Sequence, residues 1–230
     1  MTTHIMCDLE TLCKRPGGVV LAAAFVRCHD EAHCTLNLSI EDQTALGLEQ
    51  DQETITWWHD NEARNPGAWA IATANPQPLN VALPYFIRWL QWAAPDGDFL
   101  LWCHGATFDG PILGEVYRRA GIECPWTRDF WRVQCTRTAY NLAGINPKDY
   151  AVPPPHVALN DALGQSRALV ASLKILARAH LNPGAWRYFH HPESGCVFHV
   201  DDGSRPQDPL CEEITAEEYL ELAKQYGAAA

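Results

Sequence analysis

His4-Ile-Met-Cys-Asp-Leu-Glu-Thr11 decides how the rest of this chain is read. Its first residues are apolar, as in a buried strand, and then two acids two positions apart, Asp8 and Glu10, interrupt the apolar run. On a strand of period two both carboxylates project from one face. A buried face tolerates two acids only with a compensating charge, and a divalent cation is the usual one. The other reading is an exposed strand edge. Immediately downstream, Gly17-Gly18 marks a turn and the apolar run from Val19 to Arg27 predicts a second strand. A hairpin tip over residues 28–33 and a third strand from Cys34 to Ile40 complete a meander.

Working outward, Thr54–Arg64 and Leu79–Ala93 predict helices, the second from apolar spacing at Leu79, Ala82, Leu83, Phe86, Ile87 and Leu90. Phe99–Cys103 predicts a short buried strand, Asp109–Ala120 a helix, and Cys135 onward a further helix. Pro153, Pro154 and Pro155 make a stiff loop before the clearest helix, Leu159–Ala179. Strands first and helix–strand–helix units afterwards predict an α/β fold of three layers around a central mixed sheet. Past Asn182 the composition changes. A hairpin from Trp186–Phe189 and Cys196–Val200 and an acidic helix, Thr215–Tyr226, with Thr215 and Glu218 as a capping box, predict a small appendage. The domains expected are therefore 1–182 and 183–230.

The net charge of -11 is unevenly spread. Residues 41–62 carry seven acids and no Lys or Arg, and residues 193–221 carry nine acids against Arg205. Residues 118–148 reverse the sign, with Arg118, Arg119, Arg128, Arg132, Arg137 and Lys148 against Glu123 and Asp129. A locally basic path for an acidic polymer is compatible with this distribution, and so is an ordinary solvated surface. The longest apolar run, Val19–Val26, is far short of the roughly 20 residues of a membrane span. No basic segment followed by an apolar stretch opens the chain, as a secretory signal would. Nine scattered cysteines without a CxxC pair argue against a disulfide framework, so a reducing cytoplasm is expected. Cys28, His29, His33 and Cys34 gather four soft ligand types at the hairpin tip, a candidate zinc site in no standard spacing.

Two further acids complete the chemistry. Asp109 follows the strand Phe99–Cys103 at a helix start, where it is either an N-cap or a third carboxylate at a strand end. Asp161 lies in the first turn of the long helix, five residues after His156 in the proline-rich loop. An imidazole titrates near neutrality and suits proton transfer.

Taken together, Asp8-Leu-Glu-Thr11, Phe108-Asp109 and His156-Val-Ala-Leu-Asn-Asp161 resemble the three motifs of the DEDDh exonuclease superfamily over roughly residues 4–180, nearest its RNase T-like branch of phage exodeoxyribonuclease A and small bacterial exoribonucleases. The resemblance implies a ribonuclease H-like fold and 3'-to-5' hydrolysis of single-stranded DNA or RNA from the 3' end, releasing nucleoside 5'-monophosphates. It implies two Mg²⁺ or Mn²⁺ ions held by Asp8, Glu10, Asp109 and Asp161, His156 as general base, and frequent homodimers. Many relatives carry Asn where this chain has Gly105, which leaves every ligand in place. Candidate substrate contacts are Thr11, Leu12 (as a wedge under the terminal base), Trp57, Trp58, Phe108 and Arg137. The competing functions are a catalytically silent end-binding module on the same fold and a nucleotide phosphohydrolase.

Overall fold

The computed structural model describes residues 2–181, 187–192, 196–200 and 210–225. Chain packing divides it into two compact units, 1–173 and 174–230.

In the first unit a five-stranded sheet forms the centre. Its strands are β1 (Thr3–Thr11), β2 (Val20–Arg27), β3 (His33–Asn37), β4 (Phe99–Cys103) and β5 (Val133–Cys135), in the order β3-β2-β1-β4-β5. β1, β2 and β3 pair antiparallel, and β4 and β5 join parallel. The sheet is mixed because the meander is local in sequence while β4 and β5 return through helices. The helices in chain order are α1 (Ile40–Ala45), α2 (Gln52–Glu62), α3 (Ala68–Ala72) and α4 (Leu79–Ala93) before β4, α5 (Asp109–Arg119) before β5, then α6 (Thr136–Ala143) and α7 (Ala158–Leu181), which begins in this unit.

Alternation along β1 assigns the layers. Cys7 pairs with Phe25, whose ring stacks 3.8 Å from Phe86 of α4, and Tyr117 of α5 donates to the Leu83 carbonyl of α4. The next residue, Asp8, points the opposite way and accepts a hydrogen bond from Gln165 of α7. Helices thus cover both faces, which makes the expected three-layer α/β arrangement around a mixed sheet.

Three details depart from the sequence reading. β3 stops at Asn37 rather than Ile40, because the Ser39 hydroxyl accepts from the Asp42 N–H and starts α1, where no helix was expected. α3 and β5 were not foreseen, being only five and three residues long. The boundaries Leu79–Ala93 and Phe99–Cys103 coincide with the expected ones.

The second unit holds a three-stranded antiparallel sheet, β6 (Arg187–His191), β7 (Cys196–Val200) and β8 (Glu212–Ile214), in the order β7-β6-β8, with α8 (Ala216–Gln225). The expected hairpin is β6–β7, with Phe189 buried. The capping box forms: the Glu218 N–H donates to Thr215 Oγ1 at 3.2 Å and the Thr215 N–H to Glu218 Oε2 at 2.7 Å. Trp186 and Tyr226, at the ends of two expected elements, lie outside the described residues.

Candidate active site

β1 outruns its parallel neighbour. Its last partner on β4 is Cys7 opposite Cys103, so Asp8 to Thr11 extend past the end of β4. A register shift between Glu10 and Thr11 ends the regular pairing with β2. Into the space beyond β4 comes the start of α5 with Asp109. Gly110 makes this approach close, since a Cβ there would meet Val133 at 2.9 Å. α7 brings Asp161 in its first turn.

The four carboxylates share one electrostatic environment. Burial pushes the Asp8 carboxyl well up, and Asp109, Glu10 and Asp161 push it further. Glu10 is raised to about 8, by burial first and then by Asp161 and Asp109. Asp109 is raised to about 7 by burial, against backbone hydrogen bonds and the Arg137 charge. Burial raises Asp161 also, opposed by the His156 N–H that donates to its Oδ2 at 2.8 Å. Four acids that disfavour their own ionisation, with the Arg137 guanidinium acting on Asp109, form a site short of positive charge. All-oxygen donors of this kind suit Mg²⁺ or Mn²⁺, so the residues present fit the implied ions. One ligand atom each from Glu10, His156 and Asp161 lie within 4.8 Å of one another.

His156 is turned in toward the acids. It adopts φ +60, a left-handed conformation that His, Asn and Asp enter more readily than other side chains. Its ring stands edge-on to Trp57 at 4.9 Å, and Asn160 Nδ2 ties the loop to α7 through the Pro154 carbonyl at 2.9 Å. The strand of chain leading to His156 lies directly on α7 at Gly164, where a Cβ would meet Tyr150 O at 2.9 Å and Ala151 Cα at 3.3 Å. Both obstacles are backbone and cannot rotate away. Gly164→Ala is therefore expected to lift the loop and lower turnover by ~10-fold or more, while leaving Mn²⁺ affinity within about threefold of wild type, since misplacement of a reacting group by about 1 Å costs on the order of 10²-fold. Steady-state kinetics beside calorimetry would check both; wild-type turnover would show the loop position to be irrelevant.

Next to Glu10 is a cleft of about 230 Å³ lined by Thr11, Lys14, Thr54, Trp57 and Phe108 among others. Trp57 offers a ring 38% exposed. Trp58 does not: it is 2% exposed and its indole N–H donates to the Thr11 carbonyl at 3.0 Å, so it supports the cleft from inside the core. Leu12 is likewise 2% exposed, which removes it as a wedge under a base. Most of the basic segment is also committed elsewhere. Arg118 and Arg119 pair with Glu115, Arg128 with Glu123, and Arg132 with Asp129 and the carbonyls of Gly97 and Phe99. Arg137 differs: it is exposed, its charge reaches Asp109 and His104, and it makes no ion pair among the described residues.

The zinc expectation at the hairpin tip fails on geometry. Cys28 and Cys34 are buried, with thiols pushed up to about 11 and about 12, whereas His29 is exposed beside Asp30 and His33 turns to the Glu31 carbonyl. Among the described residues the four form no ligand cluster. Gly105 has φ +119, a conformation in which any side chain is strained, so glycine there answers a backbone need. Two residues near the acids were missed by sequence reasoning. His104 bonds Thr136 Oγ1 through Nδ1 at 3.2 Å, and Gln165 Nε2 donates to Asp8 Oδ1 at 2.8 Å. Gln165 carried a usable signal, lying four residues after Asp161 on one helix.

A family model described as the Rv2179c-like 3'-5' exoribonuclease domain matches residues 3–173. No curated protein matches the chain. Similar solved structures include the nuclease domain of 3'hExo, a DEDDh family member, bound to rAMP, with a TM-score of 0.48 and 12% identity over 75% of this chain and 92% of that one. Another is cell-death related nuclease 4 (CRN-4), with a TM-score of 0.46 and 13% identity over 79% of this chain and 64% of that one.

Proposed function

Since the chain belongs to the Rv2179c-like 3'-5' exoribonuclease domain family and is a 3'-5' exonuclease, we propose that it is metal-dependent and shortens single-stranded nucleic acid, releasing nucleoside 5'-monophosphates. The observation that carries the metal dependence is the set of four acids, each raised by burial, with Arg137 as the cation that acts on Asp109. RNA is the substrate class for which the family is named, and single-stranded DNA is the alternative to be measured beside it. When bound to Asp8, Glu10, Asp109 and Asp161, two Mg²⁺ or Mn²⁺ ions would supply an acidified water and charge neutralisation at the phosphate.

The remaining work falls to the chain's own side chains. His156, within reach of Glu10 and Asp161, takes the proton from the attacking water. Trp57 presents a ring on which the terminal base can stack, an interaction that tolerates any base. The cleft of about 230 Å³ is below the roughly 300–1,000 Å³ of a drug-sized pocket and suits one nucleoside at a time. Arg137 faces the incoming backbone as a phosphate contact. Residues 1–182 serve as the catalytic domain, in the reducing cytoplasm, and 183–230 as an acidic appendage.

The test uses RNA and DNA oligonucleotides labelled at either end, with Mg²⁺, Mn²⁺ or EDTA. A 3' label should be released at once as a mononucleotide, a 5' label should pass down a ladder, and EDTA should stop both. Undiminished hydrolysis in EDTA would overturn the metal reading. Release of inorganic phosphate from mononucleotides with oligonucleotides left intact would make the protein a nucleotide phosphohydrolase.

A further inference from the structure

We propose that Gln165 is a positioning residue that holds the Asp8 carboxylate in its metal-binding orientation and thereby sets the affinity of the site for a divalent cation. The inference rests on the reading of Asp8 as a ligand. Asp161 and Gln165 lie four apart on α7 and share one of its faces, so the helix that carries one acid also carries the clamp for another. Gln165 Nε2 donates to Asp8 Oδ1 at 2.8 Å, across 157 positions of sequence. Among the described residues Asp8 Oδ2 makes no hydrogen bond, so it stays available to a cation. The Gln165 backbone is itself held, because Tyr140 Oη donates to its carbonyl at 2.8 Å.

The other half of the amide argues that this bond is why glutamine stands here. Gln165 Oε1 is buried and has no hydrogen-bond partner among the described residues. An unpaired buried acceptor is destabilising, and leucine or methionine would fill similar space without one. The fold alone therefore gains little from glutamine at this position. Charge explains why a neutral donor suits the place. Lysine or arginine would neutralise Asp8 and repel the incoming cation, while an amide N–H orients the carboxylate and leaves its charge for the metal. A carboxylate turns easily about its last torsion, which is broad and roughly two-fold. Fixing that torsion before the cation arrives reduces the ordering that binding must impose.

The experiment titrates Mn²⁺ by calorimetry into the full-length wild type, Gln165→Met and Gln165→Leu without nucleic acid, and melts each in EDTA. Partners that orient a metal ligand typically change affinity by ~10- to 100-fold, and a weakening of that size is expected in both variants. Their melting temperatures in EDTA should stay close to that of the wild type, since each variant removes one unpaired buried acceptor and also one hydrogen bond to Asp8. Turnover should fall at low Mn²⁺ and recover toward wild type at saturating Mn²⁺, with the KM for oligonucleotide unchanged. Mn²⁺ affinity within twofold of wild type in either folded variant would overturn the proposal, whatever the melting temperature. A wild type that binds no Mn²⁺ would instead overturn the ligand reading of Asp8 itself.

Discussion

Asp8→Asn is expected to remove turnover almost completely and, in the same protein, to raise the melting temperature of the metal-free form at pH 8. Asparagine keeps an oxygen where Gln165 Nε2 donates, so the local geometry survives. What goes is a carboxyl whose ionisation the fold opposes, by burial first and then by Asp109, Glu10 and Asp161. Without a cation, holding this carboxyl in the fold at a pH where the unfolded chain would ionise it costs stability, so its removal relieves the apo fold. With a cation it is a ligand. The loss in turnover should exceed the ~10²- to 10³-fold seen when a single preorganised hydrogen-bond donor is removed from an active site. Single-turnover hydrolysis with saturating Mn²⁺ and a melt in EDTA test the two halves. Retained hydrolysis would remove Asp8 from the site. A lower melting temperature in EDTA at pH 8 would show that its charge stabilises the fold.

The same acids determine how apo stability depends on pH. Glu10 and Asp109 are raised to about 8 and about 7, and Asp8 is raised as well. A carboxyl raised on folding adds stability that is fully present below its unfolded pKa and is lost as pH climbs through the folded value. His4 and His104, depressed by burial, act with the opposite slope, but only below their ordinary range near 6.5. The raised thiols act only above about 9. Between pH 6.5 and 8 the acids are thus the main groups in play, opposed by Cys135, whose thiol is lowered because hydrogen bonds outweigh its burial. There the EDTA melting temperature of the wild type should fall, each proton contributing up to ~1.4 kcal/mol per pH unit. In Asp8→Asn the fall should be shallower. Millimolar Mn²⁺ should oppose it, since the cation competes with those protons and stabilises the state it binds.

What could be read from the sequence was what repeats along it. β2 is an apolar run, and α4 and α7 show helical spacing over many residues, so their hydrophobic faces are recorded locally. β5 is three residues long and exists because β4 supplies its hydrogen bonds, information held more than thirty positions away. The four acids were singled out by residue type, by order and by the resemblance of their motifs to the DEDDh set, since each alone has an ordinary structural reading. Which side chains reach a substrate was less legible. Trp57 and Trp58 are adjacent, and one helical step turns one outward and the other into the core. The Arg132–Asp129 pair is visible at a spacing of three, but the carbonyls that also hold Arg132 belong to Gly97, just before β4, and Phe99, its first residue. A positive excess in a segment therefore said little about where its charges point.

Replacing His156 should separate proton transfer from metal binding. The informative substitution is His156→Asn, because φ +60 is tolerated by asparagine and would add backbone strain to alanine. The backbone N–H that donates to Asp161 Oδ2 remains in the variant, so that carboxylate keeps its hydrogen bond. The imidazole, with its edge against Trp57, is removed. A positioned general base typically contributes ~10²- to 10⁴-fold, and turnover should fall on that scale with the KM for oligonucleotide little changed. Mn²⁺ affinity should stay within a few-fold of wild type even though a ring nitrogen of His156 lies within 4.8 Å of ligand atoms of Glu10 and Asp161. Asp161→Ala is the control, expected to lose Mn²⁺ affinity and turnover together. Two results would sink the assignment. If His156→Asn abolished Mn²⁺ binding, the imidazole would be a ligand. If it kept wild-type turnover with an unchanged pH profile, another group would be taking the proton.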